Sequence, residues 1–564
     1  MSKPLAWFIY LFSGLFFLAF FLWPIATILR GACIDADGHF TLAYFLEIFR
    51  NPLYTDGLRN AFFLATASTL ATLLIALPLA LATDRWEFPG KKLLSSAILV
   101  PMILPPFVGA IGLRQILGQY GALNALLIKI GLLAPSETID WLGNGRFYGV
   151  IALNALHLYP ILFLNLSAAL ANLDPAMHEA AQNLGASRFR IFRKITLPLI
   201  MPGLFAGSTI VFIFAFTELG VPLVFDITRI TPVQIFNGLK EISGNPFPFA
   251  LVVVMILSTA LLYAVSRFFF GQGGHASTSK ATTSAQTSRP SPLLQSACTL
   301  AFTAITILAL IPHLGVLAVS FAGDWYQSIL PDHWTLDHYA AALSHPLAVP
   351  SILNSLKYAA GSTLLDLLLG VAIAYLVVRT TLPGRAWLDS LAMLPLAVPG
   401  LVLAFGYLSM TQDGRFFAFL NPSTDPTLLL IIAYSVRRLP YVLRATVAGL
   451  QQTSITLEEA AQNLGCSPLR TLKRITFPLL SANLLAGGLL AFAFAMLEVS
   501  DSLILAQQQK DFPITKAIYE LFQLMGEGRF IASALGVWSM LFLALTILAT
   551  SRLLGKKLSA LFRA

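Results

Sequence analysis

The sequence predicts an all-α polytopic membrane protein, with about twelve transmembrane helices in two parallel six-helix repeats. Three observations carry this. The chain is 57% hydrophobic and only 11% charged, against about 25% charged residues in an average soluble domain. Long apolar runs recur from one end to the other, and the second half repeats landmarks of the first. A mean hydropathy of +0.76 agrees.

Taken in order, Leu5–Leu29 is an uncharged run of 25 residues, enough to cross a hydrocarbon core of about 30 Å. It is long for a signal peptide and no A-x-A-like site follows, so a retained first span is expected. Further runs lie near Leu58–Ala82, Leu93–Leu113, Phe147–Leu170, Pro202–Val224 and Pro248–Phe270. Residues 271–292 are rich in Gly, Ser and Thr without helical periodicity and read as a flexible cytoplasmic linker. Apolar runs resume near Leu293–Phe321, Ile352–Val378, Leu388–Leu408, Thr427–Gly449, Ala482–Leu505 and Phe530–Ser551. The expected division is thus a first repeat over 1–270, the linker, and a second repeat over 293–564.

The halves are copies. Asn60 pairs with Asn354, Pro89-Gly90 with Pro383-Gly384, Pro101 with Pro395 and Pro105 with Pro399, all at an offset of 294. Beyond the third run the offset falls to 280, because the loop near 114–146 is 14 residues longer than its counterpart, and Pro160 then matches Pro440 and Glu218 matches Glu498. An even number of spans per half leaves both halves facing the same way, flanking an axis along the membrane normal.

One polar gap in each half carries the same stretch: Glu179-Ala-Ala-Gln-Asn-Leu-Gly185, closing at Ile195-Thr-Leu-Pro198, and Glu459-Ala-Ala-Gln-Asn-Leu-Gly465, closing at Ile475-Thr-Phe-Pro478. Asp174-Pro175 supplies a helix cap and a proline at the first helical position, Gly185 a left-handed stop, and Ser187 a second cap. In the later copy Ser454, Gly465 and Ser467-Pro468 take these parts. Each reads as helix, tight turn, helix. Met177, Ala180, Ala181 and Leu184 fall on one face, as do Leu457, Ala460, Ala461 and Leu464. A DNA-binding helix-turn-helix has a similar look, but a loop pinned between spans cannot enter a groove, so no nucleic acid partner is expected.

This spacing resembles the signature loop of the membrane subunits of binding-protein-dependent ABC importers, with one departure, Phe477 where that family usually has Leu. The resemblance covers nearly the whole chain. It implies that Glu179, Ala180, Ala181, Gly185, Glu459, Ala460, Ala461 and Gly465 belong to two coupling loops, 174–198 and 454–478. These would dock on two copies of an ABC ATPase subunit, while a periplasmic solute-binding protein delivers the solute. It also implies a permease fused from two copies, resembling those for ferric iron, thiamine and aminoethylphosphonate. The stretch Phe216-Thr-Glu-Leu-Gly-Val-Pro-Leu-Val-Phe225 and the segment Trp334-Thr-Leu-Asp-His-Tyr339 look most like the ferric-iron group.

Net charge is +9, and Lys and Arg are concentrated on the face that carries the repeated loops. That face is expected to be cytoplasmic, with both termini, in a cell inner membrane. No G-x-x-x-x-G-K-[ST] occurs, so the chain is expected to be no enzyme and to hold no cofactor, with ATP and Mg on the partner ATPase. His178-Glu-Ala-Ala-Gln182 lacks the second histidine of a zinc protease helix, and no spaced ligand pair suggests a metal site.

Charges within spans are the remaining candidates. Arg437 and Arg438 fall mid-span, with His157 matching Arg437. They either line a pathway or bond backbone carbonyls and neighbouring helices. Glu218 and Glu498, late in their spans, either line an outer gate or pair with arginine. Asp366 reads as an interhelical polar contact. The segment Asp324–Pro350 reads as an interfacial aromatic belt or a surface for the binding protein. An ion-coupled secondary transporter would need midplane coupling carboxylates and would have no use for paired docking helices; a membrane enzyme would need a catalytic loop that is not found.

Overall fold

The computed structural model describes residues 3–35, 37–143, 146–239, 245–270 and 289–554. Residues 271–288 of the expected linker and the last ten residues of the chain lie outside them. Among the described residues there is no β-sheet, and only two isolated bridges, Ile34–Phe40 and Ala322–Trp334, fold back the loop after the first span of each half. Helices dominate because a backbone in hydrocarbon must satisfy its own polar groups.

Among the described residues, nine helices are long and apolar enough to cross a membrane: α1 (Pro4–Cys33), α2 (Pro52–Arg85), α4 (Phe147–Ala171), α5 (Arg188–Val224), α6 (Phe247–Val265), α7 (Pro292–Phe321), α8 (Ala348–Arg379), α11 (Leu472–Met496) and α12 (Gly528–Thr546). Two bent pairs complete the series to eleven, α3 (Lys91–Met102 with Pro106–Lys129) and α9 (Arg385–Ala397 with Gly400–Met410). A further long helix, α10 (Thr427–Gln452), stands where α4 stands in the first half. Arg437, Arg438 and Arg444 make it less apolar than the others.

The third and ninth spans, Leu93–Leu113 and Leu388–Leu408, were expected as continuous helices and are not. Their segments meet at 93° and 102°. The prolines explain the break. Pro105 and Pro399 lack an N–H and push the residue before them out of the helical region; accordingly Leu104 (φ −84°, ψ 136°) and Val398 (φ −97°, ψ 127°) are extended. The fifth and eleventh spans also stop early. The helix of α5 ends at Phe216 and resumes only for Gly220–Val224, and α11 ends at Met496 before a short helix, Ser500–Leu505. Glu218 and Glu498 therefore lie in breaks rather than in helix interiors.

The cores of the two halves are the triads α2/α4/α5 and α8/α10/α11. Small residues allow close approach: a side chain at Gly203 would press on Ala169, and one at Gly487 on Ala445. The first helix of each half crosses to the other. α1 packs on α8 and α9, where Tyr407 donates to the Phe20 carbonyl at 2.7 Å. Reciprocally α7 lies on α3, and Gly112 meets the backbone of Pro312 and Val316 so closely that a Cβ would overlap it. Each bent span is thus clasped by a helix from the opposite half.

Candidate functional site

The first loop folds as its local signals require, and the second does so with its helix starting one residue later than a Ser454 cap would set it, Ile455 standing at the cap position. Asp174 accepts from the Ala176 N–H at 2.9 Å and opens the helix Pro175–Asn183; Ser454 accepts from Thr456 N–H at 3.3 Å at the start of Thr456–Asn463. Gly185 and Gly465 stop these helices at φ +75° and +85°, which costs a non-glycine residue steric strain. Each loop then re-enters helix, at Arg188–Ile191 after Ser187 and at Pro468–Thr471 after Ser467. Both then run through a π-helical turn, Phe192–Thr196 and Leu472–Thr476, at the loop-bearing end of α5 and α11 themselves.

Glu179, Ala180, Gly185, Glu459, Ala460 and Gly465 are exposed, and Ala181 and Ala461 are half-buried. Leu184 and Leu464 are 88% and 89% exposed. A leucine that bare at the same position in both copies, beside exposed Met177 and Leu457, leaves apolar surface unpartnered at a shared face.

Beneath the helices the copies differ, and these anchors were not legible from either loop alone. Glu458 is buried and paired with Arg379 at 3.2 Å, while Tyr375 donates to its other oxygen at 2.9 Å. Arg379 also donates to the Thr453 carbonyl at 2.8 Å. This ties the second loop to the end of α8. The equivalent of Glu458 is His178, whose Nε2 is 2.9 Å from the Thr196 hydroxyl, which also accepts from Arg85 at 3.3 Å. Burial, then the Arg85 guanidinium, lower the His178 pKa and so favour its neutral form. The signal was in the repeat: Arg85 and Arg379 match at offset 294, His178 and Glu458 at 280.

Deep in the spans the charged candidates separate. Arg437 and Arg438 both pair with Glu498, and Arg437 lies 3.4 Å from Asp501. Neither was forced onto the carbonyls beside Pro440, although Arg438 reaches the Phe494 carbonyl at 3.4 Å. Gly400, the first residue after the α9 bend, makes room for the Arg437 guanidinium. In the first half His157 bonds instead to the Pro101 carbonyl at 2.9 Å, at the bend of α3. Glu218 accepts from the Val221 N–H at 3.2 Å. The breaks meet across the halves: a Cβ on Gly220 would lie 3.2 Å from Val499. Asp366 accepts from Ser435 at 2.6 Å, the expected interhelical contact. Asp501, whose counterpart is Val221, was missed because it has no partner in the repeat.

At the opposite end of the 25-residue helix α4 from the first loop, about 37 Å away, a cavity of about 690 Å³ opens between the halves. Arg114 and Arg146 converge there on Asp226 at 2.9 and 2.8 Å. This cluster too was absent from the sequence reading, since its members lie on three separated segments.

Comparison with known proteins accords with this architecture. A ferric transport system permease protein FbpB of Actinobacillus pleuropneumoniae is 29% identical over 81% of this chain, and the aligned region spans 64% of that relative. A putative ferric transport system permease protein, FbpB 1 of Haemophilus influenzae, is 28% identical over 82% of this chain and 70% of its own. The spermidine/putrescine permease PotB of the same organism is 31% identical over 45% of this chain and 90% of its own. The family model for binding-protein-dependent transport system inner membrane components matches twice, over residues 73–272 and 366–558. With one match in each half, the chain belongs to the family of binding-protein-dependent transport system inner membrane components.

Proposed function

We propose that this chain is the transmembrane permease of an ATP-driven importer and that its cargo is ferric iron. The loop-bearing end faces the cytoplasm, as do both termini and the 271–292 linker, which joins the repeats 1–270 and 293–564. Two copies of an ATPase subunit, carrying ATP and Mg, seat on Pro175–Asn183 and Thr456–Asn463. Closure of that pair rocks the halves about their axis, and a periplasmic binding protein loads the opposite end. The observation that carries this reading is the pair of bare leucines, Leu184 and Leu464, set on matched exposed helices. Breaks in α3, α5, α9 and α11 support it, because irregular backbone within a membrane is tolerated where it is buried in protein or lines a path.

The iron assignment leans on the named relatives. It is tested by radiolabelled ferric uptake into cells expressing the chain with its ATPase and binding protein. Uptake that tracks ATP and survives collapse of ion gradients is expected. Uptake that follows an ion gradient after ATP depletion overturns the ATP-driven reading, and uptake of another solute in place of iron overturns the cargo.

A further inference from the structure

We propose that the cavity at the end opposite the loops is a binding site for the oxyanion group of a solute: a carboxylate, phosphate or phosphonate. It rests on the orientation proposed above, in which this end is the one that solute reaches first. The lining holds three arginines, Arg114, Arg146 and Arg529, against two aspartates, Asp140 and Asp226. Both aspartates are already engaged. Asp226 sits between Arg114 and Arg146, and Asp140 is 3.8 Å from Arg146. A bare cation would meet carboxylates that arginines hold and a lining with one positive charge in excess.

An oxyanion meets the reverse. Among the described residues, the hydrogen bonds of Arg114 and Arg146 run through Nη1, to Asp226 and to the carbonyls of Val224 and Phe225 at 2.7 Å. A guanidinium has five N–H donors in a planar fork, so the Nε–Nη2 edge of Arg114 remains for the paired oxygens of an anion. Arg529 stacks on Phe530 at 4.6 Å and makes a long ion pair with the exposed Asp324 at 3.9 Å, which is beyond hydrogen-bond reach and leaves its N–H donors for an anion.

Backbone geometry points to the same place. Among the described residues the non-glycines at positive φ are Arg146 (60°), Asp226 (56°) and Gln327 (52°). The first two line this cavity and the third lines its neighbour. Such strain persists where surrounding structure enforces it, and it gathers at ligand sites. For an iron cargo the consequence is entry as an anionic complex whose ligand oxygens the arginines meet.

The test is equilibrium binding of radiolabelled inorganic phosphate to the full chain in nanodiscs without its ATPase, with putrescine as the cationic comparison. Saturable phosphate binding is expected. Arg114→Gln and Arg529→Gln should each weaken it about tenfold or more, and Asp226→Asn should tighten it by releasing two arginines. Arg529→Gln breaks only the long 3.9 Å pair with the exposed Asp324, so its result stands even where Arg114→Gln disturbs folding, which size-exclusion elution monitors. No saturable phosphate binding, binding unchanged in Arg529→Gln, or saturable putrescine binding lost in Asp226→Asn would overturn the site. Because no ATPase is present, failure here leaves the docking of the loops untouched, and failure of docking leaves this result standing.

Discussion

Glu458 and His178 occupy the same place in the two loops and hold them by different physics. Glu458→Ala would leave Arg379 buried without its carboxylate, a loss of about 3–5 kcal/mol. His178→Ala removes one hydrogen bond at a half-buried site, about 1 kcal/mol. Copurification of the ATPase, measured at matched membrane levels, should therefore fall much further for Glu458→Ala, and equal effects would refute the difference in anchoring. A second prediction concerns Gly400, where a Cβ would occupy the space of the Arg437 guanidinium. Gly400→Ala should push Arg437 off Glu498 and lower the unfolding temperature, whereas Gly414→Ala, with open space around the Cβ, should cost only the strain of its positive φ. A smaller shift at Gly400 than at Gly414 would count against the buried cluster.

At the scale of elements, each repeated loop is a short helix stopped by a left-handed glycine and then carried into the next span through a π turn. Apart from the adjoining residues of the chain, no described residue lies within 4 Å of where a Cβ would sit at Gly185 or Gly465, so a substitution there costs backbone strain of about 1 kcal/mol and little packing. Gly185→Arg and Gly465→Arg should insert and assemble normally yet each reduce ATPase copurification and uptake, since the bulky cation re-aims and obstructs the helix that carries the bare leucine. Wild-type values for both readouts would remove the docking assignment. The caps, stops and restarts of these loops were legible because they depend on neighbours within a few residues. Bends in α3 and α9 were half legible: Pro101, Pro105, Pro395 and Pro399 were visible as repeated landmarks, but hydropathy counts residues and carries no angle.

Across the whole molecule, the exchange of α1 and α7 makes the halves interdependent. Gly112 is the tightest point of one clasp, against the backbone of α7, which cannot move aside as a side chain can. Fragments 1–280 and 281–564, expressed together, should copurify. Gly112→Ala should abolish that association while Gly14→Ala, with nothing near its Cβ, should not. Fragments that fail to associate without any substitution would refute the clasp.

The sequence by itself determined the helical class, the two-fold repeat, the loop conformations and the family, because apolar run length, matched landmarks and short-range caps are written in neighbouring residues. Tertiary structure alone decided which charges meet. Arg437 and Glu498 are 61 residues apart, Arg379 and Glu458 are 79 apart, and Arg114, Arg146 and Asp226 come from three segments. Sequence spacing constrains a side chain only within a turn or two of its own helix. Beyond that, helix packing and the bends at proline choose the partner, and so they set the ion pairs, the clasp between halves and the arginine-lined cavity.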